Sequence, residues 1–253
     1  MARTWVFEEG QAAYPGIAQG GLVCGAAASL LDGPTAHVTL RHPPRVGEVL
    51  TGDRRDHDAA TLRLGAVTVA EARPTELRLS IPPPITMEQA EAAARSFPAL
   101  PHPTPWCFCC GPERNERDAL RILAGPVEGR ALAAAPWIPH PAFGHDGVVT
   151  TEHVWAALDC PGLWGAAYTI PVKPSVTVRM SADLIAPVRI GEPHVVVGWL
   201  VEQRGRKTVC GSALLSVHGE TIAAARADWV ETRAAAAAVS KWGSPEHRSA
   251  AKG

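Results

Sequence analysis

Two carboxylates on one predicted helix are the residues of this sequence best placed to do chemistry. Glu152 and Asp159 stand seven residues apart, in and just after the apolar stretch 147–158. That is about two helical turns, so both side chains lie on one helix face. A carboxylate buried among apolar side chains has a raised pKa and can act as a general base. Simpler interpretations stay open: Asp159 can bind the Pro161-Gly162 turn, and Glu152 can complement the helix dipole.

Glycines at two predicted helix starts can supply hydrogen-bond donors. One helix is predicted to begin at Gly20-Gly21 and the other at Gly147-Val148. The first N–H groups of a helix have no partner within it and lie at its positive end, and glycine lets another molecule approach closely. We therefore expect these four residues to supply the donors for a developing oxyanion.

The cysteines give a weaker signal. Cys107-Phe-Cys109-Cys110 holds one Cys-x-x-Cys pair. A structural zinc ion usually takes two such pairs, and no second pair follows in the sequence. The sequence therefore predicts no metal site, and the thiols are expected to pack as small apolar groups. Cys160 has no evident partner histidine that would make it a nucleophile.

The elements that must position these residues form two similar halves. The pattern Leu40-x-x-Pro43-x-Arg45 of the first half recurs in the second half as Leu184-x-x-Pro187-x-Arg189. Likewise, the pair Gly20 and Asp32 recurs as Gly147 and Asp159, with the same spacing. Recurrence in the same order indicates an internal duplication, with extra residues in the second copy around 163–176. We predict units over 1–97 and 113–231, a Pro/Cys-rich linker over 98–112 and an Ala-rich flexible tail over 232–253.

Each unit is predicted to contain a short strand, a buried helix of small residues and a series of antiparallel strands, which gives an α+β class. The helices are predicted over 21–31 and 147–158. The strands are predicted over 4–8, 35–40, 47–54, 62–71 and 76–81 in the first half, and over 130–137, 175–185, 193–203, 207–217 and 221–230 in the second.

These features resemble tandem hot-dog acyl-CoA thioesterases of the type II kind. The resembling motifs are Gly20-Gly21-x-x-x-Gly25 at the helix opening, Ala156-Ala157-Leu158-Asp159 at the catalytic aspartate and Val176-Thr177-Val178 at the catalytic threonine. The resemblance covers roughly residues 4–231. It implies a double hot-dog fold with two antiparallel sheets, each wrapping a central helix. The Cys-Phe-Cys-Cys-Gly-Pro segment is similar to those of uncharacterised actinobacterial thioesterase-like proteins.

The sequence departs from that family at two places. The family's glutamine on the last strand would fall at Ala227, beside Asp228, and no glutamine is near. The acid that single-domain relatives carry about two helical turns after the helix glycine would fall at Ala28 and Trp155. The halves therefore differ at their acids, and we expect one working site at most, built mainly from the second half.

The resemblance implies hydrolysis of an acyl thioester by water that Asp159, or Glu152 in its place, activates together with Thr177. Coenzyme A would enter only as part of the substrate, and no other cofactor is expected. The missing glutamine favours an alternative, a noncatalytic protein of the same fold that binds acyl-CoA or its acyl group. A hydratase that uses the neighbouring His145 and Asp146 as its acid–base pair is a further alternative.

Two groups of residues are candidates for substrate contact. Arg204, Arg206 and Lys207 cluster at a predicted hairpin, where they can bind the phosphates of coenzyme A or form a solvated turn. Trp155, like the aromatic residues of the extra segment 163–176, can line an acyl tunnel or pack in the core.

Composition limits the remaining classes. The chain has 253 residues, 46% of them hydrophobic and 19% charged, with a formal net charge of −1. These values fit a soluble globular protein and argue against nonspecific nucleic-acid binding, which needs a basic face. No signal peptide or apolar run long enough for a membrane span is recognised. A cytoplasmic monomer or homo-oligomer is expected.

Overall fold

The computed structural model describes residues 3–56 and 58–242. Within them the chain forms fifteen strands and five α-helices. In chain order these are β1 (Arg3–Val6), β2 (Ala12–Tyr14), β3 (Ile17–Ala18), α1 (Gly20–Ala28), β4 (Thr35–Leu40), β5 (Val49–Asp56), β6 (Ala59–Leu64), β7 (Val67–Pro74), α2 (Met87–Arg95), β8 (Gly125–Pro126), β9 (Ala133–Trp137), β10 (Gly144–His145), β11 (Val148–Val149), α3 (Thr151–Ala157), α4 (Cys160–Ala167), β12 (Ser175–Leu184), β13 (His194–Arg204), β14 (Lys207–Ser216), β15 (Thr221–Glu231) and α5 (Arg233–Trp242).

Eleven strands form one continuous sheet, in the order β1-β5-β6-β7-β4-β12-β15-β14-β13-β9-β8. Every neighbouring pair in it is antiparallel. The halves meet where β4 pairs with β12, from Thr35 opposite Asp183 to Thr39 opposite Arg179. The sequence predicts two separate sheets, whereas the structure joins them. Pairing satisfies the backbone groups that a free edge of β4 or β12 would leave open.

Helices α1 and α3 pack against each other at very short distance. A Cβ atom added to Gly21 would lie 2.7 Å from the Cα of Ala156, and one added to Gly25 would lie 2.5 Å from the Cα of Glu152. These contacts run in opposite directions along the two helices, so the helices are antiparallel. The small residues of α1 therefore allow the backbone of α3 to approach closely.

Strands β13, β14 and β15 of the second half form a meander of two hairpins, and β12 pairs with β15. Gly205 and Gly219 stand in the connecting turns with φ of 58° and 83°, a region that favours glycine. Along β12 and β15 buried and more exposed residues largely alternate, so one face of the sheet covers the helices. The predicted bounds of these strands are correct to within one residue at each end.

Both halves open with the same short elements. A 3₁₀ turn, a two-strand hairpin and a helix follow one another as β2-β3-α1 and again as β10-β11-α3. Gly16 and Gly147 occupy the two hairpin turns, both with positive φ. The structural counterpart of Gly147 is therefore Gly16 and not Gly20. The alignment of the two halves that the sequence suggests is thus shifted by four residues in this region.

That shift explains why the predicted start of α3 is wrong. Asp146 and Gly147 have φ of 53° and 76° and connect β10 to β11 as a two-residue turn, the arrangement typical of a type I′ hairpin. Helix α3 consequently begins at Thr151 and not at Gly147. In the first half the predicted strand 62–71 is two strands, β6 and β7, which turn at Gly65.

Two further segments differ from prediction. Residues 76–81 pack their apolar side chains on a small satellite core but pair with no described strand. Helix α2 was not foreseen, although Thr86 and Gln89 form a capping box at its start.

The proline-rich linker is not a solvent-exposed spacer. Residues 107–110 are all at most 3% exposed and belong to the main hydrophobic core. At the other end, the first part of the predicted tail forms α5, and residues 243–253 lie outside the described part of the chain. No helix in the described ranges is both long enough and apolar enough to cross a membrane.

Candidate functional site

The Asp159 side chain lies at the contact between the two halves and is 1% exposed. Its Oδ1 accepts a hydrogen bond from the Thr177 hydroxyl at 2.8 Å. Its Oδ2 accepts one from the Gln19 amide at 2.7 Å and one from the Gly21 N–H at 3.0 Å. Three donors from both halves therefore converge on one carboxylate.

Local structure explains how Asp159 reaches this position. Helix α3 ends at Ala157, α4 begins at Cys160, and Asp159 stands at the N-cap position of α4 without a capping hydrogen bond from its side chain. The simpler interpretation, that Asp159 binds its own turn, is therefore wrong. Its carboxylate instead points to the start of α1.

Burial makes this carboxylate unusual. Loss of water raises the pKa of Asp159 to about 7, although the hydrogen bonds from Thr177, Gly21 and Gln19 oppose the rise. Both the charged and the neutral form are therefore accessible near neutral pH, as a group that accepts and returns a proton requires.

Gln19 was missed by the sequence analysis. The family resemblance implies a glutamine on the last strand, at Ala227, and this residue is buried. Gln19 instead caps α1, with its Oε1 accepting from the Leu22 N–H at 2.8 Å while its Nε2 donates to Asp159. Glutamine is not among the usual N-cap residues, so its place directly before Gly20-Gly21 did not mark it as a cap or as a partner of Asp159.

The predicted oxyanion donors divide into three cases. The Gly21 N–H is already donated to Asp159. The Gly20 N–H donates to no acceptor in the described chain, and a Cβ atom here would lie 3.4 Å from Asp159 Oδ2. Gly147 and Val148 lie in the β10–β11 hairpin, so their assignment as helix-start donors is wrong.

Trp229 is a second residue that sequence reasoning did not single out. It lies directly opposite Thr177 in the β12–β15 pairing. Its indole N–H is buried and has no hydrogen-bond partner within the described residues. A buried donor without a partner in the protein can serve a ligand oxygen.

Glu152 does not join the Asp159 group. It lies in the first turn of α3, where its Oε1 accepts from the Trp5 indole at 2.9 Å and from Arg3 at 3.3 Å. Burial raises the pKa of Glu152, but these partners outweigh it and leave the pKa below its usual value. The side chain anchors β1, and its lowered pKa argues against its use as the alternative base.

A cavity of about 360 Å³ lies where a second copy of the site would be. In the corrected pairing of the halves, Ala28 takes the place of Asp159 and Gly33 that of Thr177, and both line this cavity. Trp155 and Glu152 also line it. The first half thus lacks both the acid and the hydroxyl. Asp32 instead lies at the surface and pairs with Arg54 at 2.6 Å.

Two residues of the basic cluster, Arg204 and Lys207, form ion pairs with acidic residues of the same sheet. Arg204 pairs with Glu202 at 2.9 Å, and Lys207 pairs with Asp228 at 2.7 Å. Arg206 lies at the exposed turn between them. Lys207 lies opposite Val230 of β15, which in turn lies opposite Val176 of β12. The cluster is therefore two strands away from β12, at the same end of the sheet as Thr177.

The remaining candidates also have definite places. His145 and Asp146 contact each other at 3.3 Å but are 81% and 97% exposed, which places the hydratase pair on the surface. Cys160 lies 3.9 Å from Cys107, sulfur to sulfur. The sulfurs of Cys107, Cys110 and Cys160 all lie within 4.8 Å of one another, a grouping that their spacing in the sequence does not reveal.

Known structures place this architecture among those already described. The tesB protein of Mycobacterium avium subsp. paratuberculosis aligns with a TM-score of 0.57 at 12% identity, over 90% of this chain and 92% of that one. A conserved protein of unknown function with a hot-dog fold, from Alicyclobacillus acidocaldarius, also aligns with a TM-score of 0.57 at 12% identity, over 91% and 93%.

The chain has a hot-dog fold. The acyl-CoA thioesterase II TesB2 of Mycobacterium marinum shares it with a TM-score of 0.52 at 12% identity, over 90% of this chain and 92% of that one. No protein-family model matches the sequence, and no curated protein matches it either. At these identities the hot-dog likeness concerns the fold alone.

Proposed function

We propose that this chain is a double hot-dog acyl-CoA thioesterase, with one working site at Asp159. The observation that carries the proposal is the convergence of Thr177, Gln19 and Gly21 on a buried carboxylate at the contact of the halves. A carboxylate this buried costs free energy unless its hydrogen bonds are satisfied, so the arrangement holds Asp159 in one orientation.

One lone-pair position of the Asp159 carboxylate remains for a reacting water. A carboxylate offers about four lone-pair positions, and three are taken by the donors named above. The fourth can accept from a water, whose oxygen adds to the thioester carbonyl carbon while its proton passes to Asp159. When the carbon–sulfur bond breaks, that proton passes to the leaving thiolate, which releases the acid and the thiol.

The negative charge that develops on the carbonyl oxygen needs donors. Gly20 supplies an N–H at the start of α1, beside both Asp159 and Thr177. The dipole of α1 favours negative charge at that end. Removal of a single donor of this kind typically costs a factor of about 10² to 10³ in rate.

Two observations favour the noncatalytic alternative. Asp159 is almost completely covered, and both of its oxygens already have partners within the protein. A protein that binds acyl-CoA without cleaving it would have the same fold and would bind a similar ligand. The substrate, coenzyme A and the acyl chain it carries, is proposed from the printed description of the M. marinum protein as an acyl-CoA thioesterase.

The experiment that separates the two is turnover and binding measured on the same samples. Release of free thiol is followed for acyl-CoAs of short, medium, long, branched and aromatic acyl groups, and binding of a non-hydrolysable thioether analogue is measured by calorimetry. The proposal predicts turnover of at least one acyl group. Binding of the analogue without turnover of any acyl-CoA would establish the noncatalytic alternative instead.

A further inference from the structure

Four of the six cysteines gather around Cys160, which directly follows Asp159. Cys107, Cys109 and Cys110 come from the proline-rich linker, and Cys160 is the first residue of α4. All four are buried and none forms a disulfide. The sequence separates Cys160 from the others by some fifty positions, so only the fold reveals the group.

The spacing of the sulfurs suits a metal ion. Sulfurs bound about 2.3 Å from a tetrahedral zinc ion lie roughly 3.8 Å apart. The sulfurs of Cys107 and Cys160 are 3.9 Å apart, and no pair among Cys107, Cys110 and Cys160 exceeds 4.8 Å. Movements of about an ångström would bring all three to ligand distance.

The backbone around Cys107 is shaped to support a thiolate. The thiols of Cys110 and Cys160 lie against that of Cys107, and the backbone N–H groups of Cys110 and Cys109 face its sulfur. N–H groups directed at the first sulfur of a Cys-x-x-Cys loop stabilise the charge that a metal ligand carries.

Gly111 lets this loop close. A Cβ atom at that position would lie 2.6 Å from the Cys107 carbonyl oxygen and 2.7 Å from its nitrogen. The loop that holds Cys107 and Cys110 is therefore built around a residue without a side chain. On the opposite side, the start of α4 presents Cys160 where the helix dipole favours a negative sulfur.

We propose that Cys107, Cys110 and Cys160 bind one zinc ion, which ties the linker to the start of α4. Cys109, whose thiol contacts that of Cys160, is a candidate for the fourth position. Because Cys160 directly follows Asp159, the ion would also fix the position of that carboxylate. The site does not depend on the hydrolase activity proposed above.

The test is metal content of the full chain. Protein purified under reducing conditions and reconstituted with Zn²⁺ is expected to hold about one zinc per chain by elemental analysis. Single Cys107→Ser, Cys110→Ser and Cys160→Ser variants are expected to lose most of it. The matched control is Cys24→Ala, which removes a buried thiol of α1 outside the group and should keep the zinc.

Cobalt substitution keeps the proposal testable if the serine variants fail to fold. The unmodified chain loaded with Co²⁺ should show a thiolate-to-cobalt charge-transfer band and the intense d–d bands of a tetrahedral site. Absence of these bands together with absence of bound zinc would overturn the proposal. So would a disulfide between Cys107 and Cys160 in the reduced preparation, detected by mass spectrometry.

Discussion

The residue that organises this molecule chemically is Asp159, and its partners come from distant parts of the chain. Asp159 and Thr177 could be selected from the sequence, because a carboxylate after an apolar helix and a hydroxyl on a strand fit a known pattern. Gln19 could not be selected in that way. It reaches Asp159 only because α1 and α3 pack antiparallel with Gly21 between them.

Replacing Gln19 tests whether its amide matters for chemistry or only for capping. Gln19→Ala removes a hydrogen bond to a carboxylate worth about 1.5–3 kcal/mol, so kcat is expected to fall roughly ten- to hundredfold. The control is Gln89→Ala, because Gln89 also makes a cap contact, to the Thr86 N–H at 2.9 Å, but at the start of α2. Steady-state kinetics of both variants gives the answer, and equal activities would show that Gln19 only caps α1.

Thr177 allows a more conservative pair of substitutions. Thr177→Val keeps the shape and removes the hydroxyl that donates to Asp159, so a loss of roughly ten- to hundredfold in kcat is expected. Thr177→Ser keeps the hydroxyl and should retain most of the activity. The pair is compared by kcat at saturating substrate. A serine variant as impaired as the valine variant would mean that Thr177 acts through packing.

At the scale of elements, the close packing of α1 on α3 holds the site together. The apolar run of small residues predicted α1, and the strand patterns of the second half predicted β12 to β15 to within one residue at each end. The start of α3 was misplaced because the Asp146-Gly147 turn looks like a helix start in the sequence. Strand 76–81 was predicted from its apolar pattern, but that pattern serves packing against a satellite core and not pairing.

Gly25→Ala tests this packing. The new Cβ atom would lie 2.5 Å from the Cα of Glu152, and backbone cannot move aside cheaply. Overpacking of this kind costs about 1–3 kcal/mol, which outweighs the gain of up to about 1 kcal/mol from the helix propensity of alanine. Chemical denaturation should show the loss. Gly10→Ala, which meets only the flexible end of Arg114 at 3.1 Å, should be nearly neutral.

At the scale of the whole molecule, the halves share one sheet and one core. Side chains also bond across the junction: the Thr35 hydroxyl donates to Asp183 at 2.8 Å, and His37 contacts the Ser181 hydroxyl at 2.8 Å. Similar halves could be predicted from recurring motifs in the sequence. The junction could not, because which edge strands pair depends on contacts between residues far apart in sequence.

Joined halves should unfold together. Seven of the eight tryptophans lie at position 106 or beyond, so fluorescence reports mainly on the second half, whereas far-ultraviolet circular dichroism reports on both. Urea denaturation followed by the two methods is expected to give coincident single transitions. A circular dichroism transition that separates into two steps would indicate halves that unfold independently.

Thioester hydrolysis by the Asp159→Asn variant tests the central claim most directly. The variant keeps the size of the side chain and removes its ability to take a proton, so kcat/KM is expected to fall by roughly 10²- to 10⁴-fold. Asp32→Asn, a change at the exposed acid paired with Arg54, should hydrolyse acyl-CoA like the unaltered chain. Wild-type rates in a correctly folded Asp159→Asn protein would contradict the assignment of Asp159 as the base.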